Sequence, residues 1–486
     1  MVYLEDPKAN DSSINAKKSE NLPEWYSQLV VKSGLIDYAP VKGSMAYRPG
    51  SYEIWEEIQK AFNAMLKSTG HRNMYLPLLI PERLLEVEGE HFEGFKPEVY
   101  WVTKSGNNDL SERLAIRPTS ETIVYHFFTK WIRSWRDMPL LLNQWCSVLR
   151  SEIKDTKPFL RNSEFLWQEG HTAHETAEDA EKEVMLIAGF YKEIMEEYLA
   201  LPVLMGRKSE QEKFAGAVYT VTLESLMPDG RALQSGTSHF LGQNFTKPFG
   251  VSFLDRNAKE QNPFTTSWGI STRLIGGLVM VHGDDKGLVL PPKVAPIEIV
   301  VVPIYRDESK DSVLAHSRKI RDSLSKKGFR VAIDDRDGYT PGWKFNEWEL
   351  RGVPLRIEIG PKDMERGQVT FSRRDQQEKR AVNEADVVKS ARRELRSMQK
   401  SMLKKAKADL KARTFTARSY SQFKAQLEKK GFIRACWCGS DGCENKIKEE
   451  TGATCRLIKV EREEPFSKCV YCAAEARHVA YFARSY

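Results

Sequence analysis

The stretch from Leu149 to His174 reads LRSEIKDTKPFLRNSEFLWQEGHTAH and is dense in side chains that can bind a nucleotide. The segment 154–158, KDTKP, is typical of a turn, so we expect a strand, a loop and a second strand. Side chains two residues apart on a strand share a face. The residues expected to share faces are Arg150 with Glu152 and Phe165 with Trp167 and Glu169. Guanidinium, carboxylate and aromatic groups together suit a nucleotide with its phosphates, and the alternative is an amphipathic hairpin with a solvated charged face.

Length and composition indicate a multidomain globular protein. The chain has 486 residues, beyond the ~250–300 at which a single core usually stops growing, so we expect two or three domains. The longest apolar runs are shorter than the ~18 residues of a membrane-spanning helix. The N-terminal residues resemble neither a secretory signal nor an organelle transit peptide, so we expect a cytoplasmic protein without membrane association. A net charge of +7 is compatible with nucleic acid but does not specify it.

The cysteines point to a metal site near the end of the chain. Six of the seven cysteines follow residue 435, and a reducing compartment favours metal binding over disulfides. Cys438 and Cys443 form one close pair and Cys469 and Cys472 another, which together can supply the four thiolates of a structural Zn²⁺ site. Cys436 and Cys455 could substitute for members of this set. The alternative is a group of unpaired reduced thiols.

The N-terminal third predicts an extension, a long helix and a strand. Residues 1–20 are polar and are expected to be disordered or loosely attached. From Ser51 the apolar residues recur with helical spacing, and Gly70 is a plausible stop. MYLPLLIP, residues 74–81, then reads as a strand that closes at a proline.

Further segments predict alternating strands and helices. Residues 115–122, AIRPTSET, lead into a predicted helix that carries Trp131 and Trp135. A second amphipathic helix covers residues 175–200 and is interpreted as scaffold. Alternating strands with a Gly-Thr-Ser-His turn follow in residues 213–245. At Ser267 a strand runs into a glycine-containing helix with Arg273 near its start.

The segment after Pro291 predicts an α/β module of about 100 residues. Residues 389–413 then hold ten Lys or Arg against two Asp or Glu, although Leu395 and Met402 belong to an apolar stripe. This pattern predicts a docked helix with a basic outer face. A merely solvated face and an RNA backbone contact both remain open for it.

Several ordered motifs resemble class II aminoacyl-tRNA synthetases. Arg-x-Glu, a loop and Arg-x-x-x-Phe in residues 150–165 resemble motif 2, and FLWQEGHTA is similar to the version in prolyl-tRNA synthetases. The helix and proline-ended strand near residue 81 resemble motif 1, and the segment from Ser267 resembles motif 3. About 107 residues separate Phe165 from Arg273, which leaves no room for a large editing insertion, so the archaeal and eukaryotic type is the closer match.

The resemblance implies an α+β architecture in three parts. Residues 21–290 would form the class II antiparallel-sheet catalytic core, and residues 291–388, which contain PGWKFNEWELRG, an α/β anticodon-binding domain. Residues 389–486 would hold the basic helix and a small zinc-binding α+β domain that ends in tyrosine. A homodimer is implied as well, through the motif 1 segment.

The implied reaction joins L-proline to ATP as prolyl-adenylate and transfers the prolyl group to tRNA(Pro), with Mg²⁺ entering with ATP, a structural Zn²⁺ and no DNA partner. The resemblance gives catalytic roles to Arg150 and Arg273. The implied proline-binding residues are Thr119, Glu121, Arg150, Trp167, Glu169, His171 and His239. The implied ATP-binding residues are Arg150, Glu152, Arg161, Phe165, Gln234, Thr237, Ser271, Thr272 and Arg273. The implied metal ligands are Cys438, Cys443, Cys469 and Cys472.

Two positions depart from the family pattern. Ser151 stands where tryptophan is common, and Ser163 stands where arginine is common, which removes one possible nucleotide contact. Two alternatives to the prolyl type are a threonyl- or seryl-type enzyme and a synthetase-like protein without aminoacylation. RPTSET and FLWQEGH argue against a threonyl- or seryl-type enzyme, and retention of Arg150, Glu152, Phe165 and Arg273 argues against a synthetase-like binding protein without activity.

Overall fold

The computed structural model describes residues 13–91, 99–153, 155–376 and 378–486, and the side chains of all of these except residues 87–91. Two sequence predictions lie partly outside these ranges: residues 1–12 of the expected extension and Lys154 of the expected turn. Throughout the described ranges, every helix is too short or too polar to cross a bilayer.

Residues 21–290, which the resemblance assigns to a catalytic core and which are called the catalytic region below, are built around an antiparallel sheet with helices on its faces. Its helices are α1 (Leu22–Lys32), α2 (Pro49–Ser68), α3 (Glu82–His91), α4 (Glu121–Trp131), α5 (Ala177–Glu193) and α6 (Arg273–His282). Its strands are β1 (Ile36–Tyr38), β2 (Met45–Tyr47), β3 (Arg72–Asn73), β4 (Leu79–Pro81), β5 (Trp101–Ser105), β6 (Asn108–Ile116), β7 (Leu140–Leu149), β8 (Glu164–His174), β9 (Leu204–Arg207), β10 (Tyr219–Leu226), β11 (Ala232–Gly242), β12 (Phe253–Leu254), β13 (Glu260–Gln261) and β14 (Phe264–Ser271).

The catalytic strands follow the spatial order β9-β10-β11-β14-β8-β7-β3, antiparallel except for the β3–β7 pair. Large side chains fill the space between α2, α5 and the sheet. Phe62 stacks on Tyr191 with ring centroids 5.2 Å apart, and Trp268 meets both rings edge-on. All three rings are buried, so this contact anchors the scaffold helices to the strands that carry the candidate site. The predicted antiparallel core is confirmed.

Helix α2 begins two residues earlier than the sequence indicated. Pro49 occupies its first turn after the N-cap residue Arg48, since proline needs no N–H partner there and its φ suits a helix. Ser51 lies inside the helix, where its hydroxyl donates to the carbonyl of Leu35 at 2.7 Å. The predicted stop is confirmed, because Gly70 follows the helix with φ +88°.

Three strand and helix predictions were too long. Only Leu79–Pro81 of MYLPLLIP forms a strand, since Pro77 has no N–H to donate to a neighbouring strand. Trp135 lies in a separate 3₁₀ turn, Trp135–Asp137, because α4 ends at Trp131. Arg150 follows the end of β7 in a turn, so the strand-based pairing of Arg150 with Glu152 was wrong.

The α/β module has a five-stranded sheet in the order β16-β15-β17-β18-β19. β15 is parallel to β16 and β17, and the last two strands are antiparallel. Its strands are β15 (Ile299–Pro303), β16 (Val331–Ile333), β17 (Leu355–Ile359), β18 (Gln368–Arg373) and β19 (Lys379–Asn383). Its helices are α7 (Lys310–Ser325), α8 (Pro341–Leu350) and α9 (Pro361–Glu365).

The C-terminal region begins with the basic helix, whose predicted apolar stripe is buried at Leu395, Met398, Met402 and Leu410. Its helices are α10 (Val387–Ala412), α11 (Tyr420–Leu427) and α12 (Asp441–Thr451). Its strands are β20 (Thr414–Ala417), β21 (Phe432–Trp437), β22 (Thr454–Lys459) and β23 (His478–Ala483).

The C-terminal strands extend the catalytic sheet to eleven strands. β22 pairs with β9, with Ile458 opposite Arg207 and Lys459 opposite Gly206. A Cβ at Gly206 would lie 2.3 Å from the carbonyl oxygen of Ile458, so a residue with a side chain would push the strands apart. The C-terminal domain is therefore joined to the catalytic core by backbone pairing, which the sequence did not indicate.

Residues 13–20 contact the catalytic region through several hydrogen bonds, whereas the sequence predicted a disordered or loosely attached extension. The backbone N–H of Asn15 donates to the side chain of Gln28 at 2.9 Å. The backbone N–H of Lys18 donates to Asp285 at 2.7 Å, and its ammonium donates to the carbonyl of Gly283 at 2.6 Å. This part of the extension packs on the catalytic region because Lys18 satisfies carbonyl groups left free at the end of α6.

Candidate active site and metal centre

The hairpin of β7 and β8 carries most of the candidate active-site residues. β8 lies between β7 and β14, and this register places Glu169 opposite Gln144 and Gly269. Gly170 lets the ring of Trp268 cross the strand, because a Cβ at that position would lie 2.1 Å from the ring. Glu169 and His171, two residues apart, therefore lie on the same face of β8.

A buried group of two carboxylates and one imidazole forms one end of the site. Nε2 of His171 lies 3.2 Å from Oε2 of Glu169, and Nδ1 lies 3.7 Å from Oε2 of Glu121. Glu169 also accepts hydrogen bonds from the backbone N–H of Ser120 at 2.9 Å and from Gln144 at 2.9 Å. Thr119 donates to the same carboxylate at 3.2 Å. Glu121, Glu169 and His171 are each 2% exposed, so their charges interact with little screening.

The charges of Glu121, Glu169 and His171 determine which of these side chains carries a proton. Burial alone would lower the pKa of His171, but the carboxylates of Glu121 and Glu169 outweigh burial and raise that pKa to about 10. Burial opposes ionisation of Glu169 too, yet its hydrogen bonds from His171 and Ser120 lower its pKa to about 2. The group is thus an imidazolium between two carboxylates. Among the described residues nothing hydrogen-bonds to Oε1 of Glu121, so one carboxylate oxygen is available to a cationic ligand.

His239 forms a neutral wall of the same cavity. Its Nδ1 bonds to the hydroxyl of Thr220 at 2.8 Å, and its ring centroid lies 4.8 Å from that of Phe214. Burial, with the charges of Lys208 and His171 adding to it, lowers the pKa of His239 to about 3. His171 and His239 therefore differ in charge across the physiological pH range.

Two arginines and two aromatic rings form the other end. The guanidinium of Arg150 lies 5.3 Å from the ring of Phe165 and 5.4 Å from that of Trp167, and its Nε donates to the carbonyl of Pro118 at 3.2 Å. Arg273 donates to the carbonyl of Leu160 at 2.9 Å and to that of Gln234 at 3.2 Å. Burial, and then the charge of Arg150, lowers the pKa of Arg273 to about 10, so Arg273 stays cationic at neutral pH.

These residues share one cavity of about 540 Å³. The predicted site residues that line it are Thr119, Glu121, Arg150, Glu152, Phe165, Trp167, Glu169, His171, Gln234, Thr237, His239, Ser271 and Arg273. Arg161 is exposed and does not line the cavity. Thr272 is fully buried outside it, where its hydroxyl bonds to the hydroxyl of Tyr47 at 2.9 Å and to the carbonyl of Leu166 at 3.3 Å. The Thr272 hydroxyl is therefore already engaged by Tyr47 and Leu166, and an ATP-binding role for this residue stays a prediction.

Ser163, one of the departures from the family pattern, is a buried packing residue. Its hydroxyl donates to the carbonyl of Ile153 at 3.3 Å, and its backbone N–H donates to the carbonyl of Gly43 at 3.0 Å. Gly43 has φ +86°, and a Cβ there would lie 2.3 Å from the Ser163 hydroxyl oxygen. A small residue at 163 thus lets the turn between β1 and β2 pack against the loop that follows β7.

Sequence reasoning missed part of the cavity. Lys208 and Glu212 line it from the loop after β9, and Trp268 and Thr220 line it from strands. Charged residues in a short loop carry no pattern that would mark them as site residues. A larger cleft of about 1590 Å³ lies between the catalytic region, the α/β module and α10, and it contains none of the residues predicted for the site.

The four predicted metal ligands meet in the C-terminal domain. The sulfur atoms of Cys438, Cys443, Cys469 and Cys472 all lie within 4.8 Å of one another. The separations Cys438–Cys443 and Cys438–Cys472 are 3.7 and 3.8 Å, close to the ~3.8 Å edge of a tetrahedron with zinc–sulfur bonds of about 2.3 Å. The spare thiol Cys436 instead accepts a hydrogen bond from the backbone N–H of Phe466. The cluster therefore fits a four-coordinate metal and leaves no open position.

Three family models match successive parts of the chain. They are the tRNA synthetase class II core domain (G, H, P, S and T) over residues 100–282, the anticodon binding domain over residues 298–394, and the prolyl-tRNA synthetase C-terminal domain over residues 420–486. The first contains the cavity, and the third contains the cysteine cluster.

Whole-chain comparison agrees with this division. The proline–tRNA ligase of Alkaliphilus oremlandii (strain OhILAs) is 52% identical over 464 residues, covering 95% of this chain and 96% of that protein. Proline–tRNA ligase 2 of Clostridioides difficile (strain 630) is 52% identical over 97% of both chains. The proline–tRNA ligase of Cenarchaeum symbiosum (strain A) is 52% identical over 97% of this chain and 99% of that protein. The chain therefore belongs to the proline–tRNA ligase family of class II tRNA synthetases.

Proposed function

We propose that this protein activates L-proline with ATP to form prolyl-adenylate and pyrophosphate, and then transfers the prolyl group to the 3′ end of tRNA(Pro). The observation that carries the proposal is the free Oε1 of buried Glu121, in the same cavity as the Arg150 and Arg273 guanidinium groups. An amino acid needs a carboxylate for its ammonium and a cation for its carboxylate, and the two ends of this cavity supply both.

Proline differs from other amino acids in its secondary ammonium, which has only two N–H donors. Glu121 supplies one acceptor through Oε1, and Thr119 beside it supplies a hydroxyl oxygen. Trp167 and the neutral ring of His239 supply flat walls for the pyrrolidine. A cationic His239 would repel the ammonium, so its low pKa favours the substrate. Glu169 and His171 support this pocket by holding Glu121 through charge.

Arg150 is placed to act at the reacting atoms. Its guanidinium lies beside the Trp167 ring, which we assign to the proline pocket, and beside the Phe165 ring, which we assign to adenine, so it can bind the proline carboxylate and the α-phosphate together. Holding nucleophile and electrophile in one geometry and compensating the charge that develops on phosphate lowers the barrier without a protein nucleophile. Phe165 and Arg273 would hold the two faces of adenine, and exposed Glu152 would accept from its amino group. Arg161 remains our candidate for the terminal phosphates.

Two metals complete the proposal. Mg²⁺ would enter on the ATP phosphates and neutralise part of their charge, and Gln234 and Thr237 offer it side-chain oxygens on the cavity wall. Zn²⁺ would be held by Cys438, Cys443, Cys469 and Cys472 as a structural ion, since four protein ligands complete its tetrahedron. The fold of the C-terminal domain would then depend on the metal.

We further propose a cytoplasmic homodimer. Tyr75 is 70% exposed, and Leu78, Leu79 and Tyr100 are exposed as well. A group of large apolar side chains exposed in one region is unusual for a monomer and is typical of an interface. Tyr75, Leu78 and Leu79 belong to the segment that resembles motif 1, the dimer element of this family. None of the seven cysteines, all of which lie in the described ranges, forms a disulfide, and this suits a reducing compartment.

Pyrophosphate exchange tests the function directly. The purified protein, supplied with ATP and each of the twenty amino acids in turn, should exchange labelled pyrophosphate with proline and without tRNA. Arg273→Ala should abolish most of this exchange, because it removes a cation from the nucleotide end. Exchange that is fastest with threonine or serine, or absent with every amino acid, would overturn the proposal.

A further inference from the structure

The loop between β9 and β10, residues 208–218, forms one wall of the candidate active site. Lys208, Glu212 and Phe214 line the cavity. The backbone N–H of Phe214 donates to the hydroxyl of Thr220 at 3.0 Å, and that hydroxyl also bonds to Nδ1 of His239 at 2.8 Å. The active-site loop and the His239 wall thus share the Thr220 hydroxyl, in addition to the pairing of Thr220 with His239 across β10 and β11.

The C-terminal domain contacts the active-site loop through two polar side chains. The hydroxyl of Ser209 donates to Oε1 of Glu444 in α12 at 2.8 Å, and both residues are buried. Nη1 of Arg456 in β22 donates to Oε2 of Glu212 at 3.4 Å. The first contact is made by Ser209, at the start of the loop, and the second by Glu212, three residues further along the chain. Two polar contacts from a different domain thus define the path of this segment.

Arg456 also connects the loop to the catalytic sheet. Its guanidinium donates to both oxygens of Glu224 in β10, at 3.0 and 3.2 Å, and Glu224 is fully buried. The ammonium of Lys208 lies 3.8 Å from the same carboxylate. Lys208 and Arg456 are 8% and 5% exposed, so these charges compensate one another in a region of low polarity. Loss of Arg456 would leave Glu212 without this partner, and the charge of Glu224 would then be compensated by Lys208 and, more distantly, by Arg273.

These contacts are suited to positioning because other interactions join the two domains. β22 pairs with β9 through the backbone, and Gly206 permits that close approach. Glu210, Gln211 and Ala215 of the loop are exposed, whereas Phe214 packs against the rings of His239 and Phe245. Both attachments to the C-terminal domain lie in the first half of the loop, so their loss can shift this part without unfolding either domain.

We propose that Arg456 and Glu444 are positioning residues for proline binding: the C-terminal domain, through them, holds the active-site loop so that Phe214 and His239 form the proline wall. This inference rests on the proposed proline activation. The ATP end of the cavity is formed by Arg150, Phe165 and Arg273, none of which contacts the loop in the described hydrogen-bond and ion-pair network.

The test compares Arg456→Met and Ser209→Ala with the wild type and with Arg434→Met. Ser209→Ala removes the Glu444 contact without altering the residue beside Cys443. Arg434 is a matched control, because it pairs with Glu463 within the C-terminal domain at 2.6 Å and touches no loop residue. In proline-dependent pyrophosphate exchange, both test variants should raise the KM for proline about fivefold or more and leave the KM for ATP within about twofold, as expected for coupled neighbours.

Hydrogen exchange separates positioning from general stability. In both test variants the amides of residues 208–218 should exchange faster, while zinc content, Tm and exchange in β21 and β23 should match the Arg434→Met control. A folded, zinc-loaded Arg456→Met protein and a Ser209→Ala protein that both keep the wild-type proline KM and loop exchange would overturn the inference. A wild-type protein without proline-dependent exchange would instead overturn the proposed function.

Discussion

Oε2 of Glu121 lies 3.7 Å from Nδ1 of His171, too far for a hydrogen bond but close enough for a strong charge interaction in a buried site. The second oxygen of Glu121 has no hydrogen-bond partner among the described residues. Glu169 stabilises the opposite side of the imidazole at 3.2 Å. One carboxylate is thus fully used by the protein, and the other is only half used, which leaves it free to bind a substrate cation.

Glu121→Gln should weaken proline binding selectively. The amide keeps the size of the side chain but removes the charge that would pair with the substrate ammonium, and loss of one partner of a buried ion pair typically costs ~3–5 kcal/mol. We expect the KM for proline to rise at least about tenfold in pyrophosphate exchange, with the KM for ATP changed little.

The ATP dependence of the same variant is its internal control, since Arg150, Phe165 and Arg273 remain. A Glu121→Gln protein with wild-type proline dependence would show that the ammonium is bound elsewhere. The pocket assignment would then have to be abandoned, even if the protein still charged tRNA.

The charged state of His171 predicts a pH dependence of stability. Because its folded pKa of about 10 lies above the usual value of about 6.5, its charge contributes stability that is fully present below pH 6.5 and is lost as pH rises toward 10. The difference in unfolding free energy between wild type and His171→Gln should therefore shrink across this interval. Denaturant unfolding at several pH values measures it.

Nitrogen NMR provides an independent check. His171 should show the signals of an imidazolium at pH 8, whereas His239, with a pKa of about 3, should be neutral at pH 5. A neutral His171 at pH 8 together with a pH-independent stability difference would contradict the prediction.

The cysteine cluster predicts one tightly held zinc ion per chain. Cys443→Ser should lose the metal and unfold the C-terminal domain locally, because the tetrahedron loses a ligand and metal binding is coupled to folding. Elemental analysis and circular dichroism measure these two effects. Cys436→Ala is the control. Cys436 is buried outside the cluster, so the protein with this substitution should retain its zinc. Wild-type protein prepared without chelator and found free of metal would refute the prediction.

The outer face of α10 predicts an RNA contact. Arg396, Lys400 and Lys404 are exposed, lie four residues apart on one stripe, and have no hydrogen bond or ion pair to any described residue. Lys407, in contrast, pairs with Glu196 at 2.8 Å. Reversing the three stripe residues to Glu should weaken tRNA binding and flatten its salt dependence by roughly one unit of slope per lost phosphate contact.

A control for this prediction reverses three scattered exposed lysines, Lys67, Lys192 and Lys448, and gives the same change in net charge. If both triple variants bind tRNA equally, the stripe has no specific role and its charges merely solvate the helix. Binding titrations at several salt concentrations distinguish the two results.

The motif 2 hairpin shows how far sequence reasoning reached. The strands, the loop and thirteen of the predicted site residues were located from motifs in which residue type and spacing are constrained together. The resemblance also names Thr272, but it does not reveal that the Thr272 hydroxyl bonds to Tyr47 and to the carbonyl of Leu166. The strand assigned to Arg150 failed because β-alternation does not reveal where pairing ends.

Local motifs and the family resemblance that they carry predict the class II core, the anticodon-binding module, the four-cysteine cluster and the residues that we propose for proline and ATP, because a motif keeps residue type and spacing together within one strand, turn or helix. Folding in three dimensions places His171 between two carboxylates, packs Ser163 on Gly43 and brings Arg456 and Glu444 into contact with the active-site loop. These relationships join residues far apart in the chain, and they depend on strand register and buried charge, which no local pattern encodes.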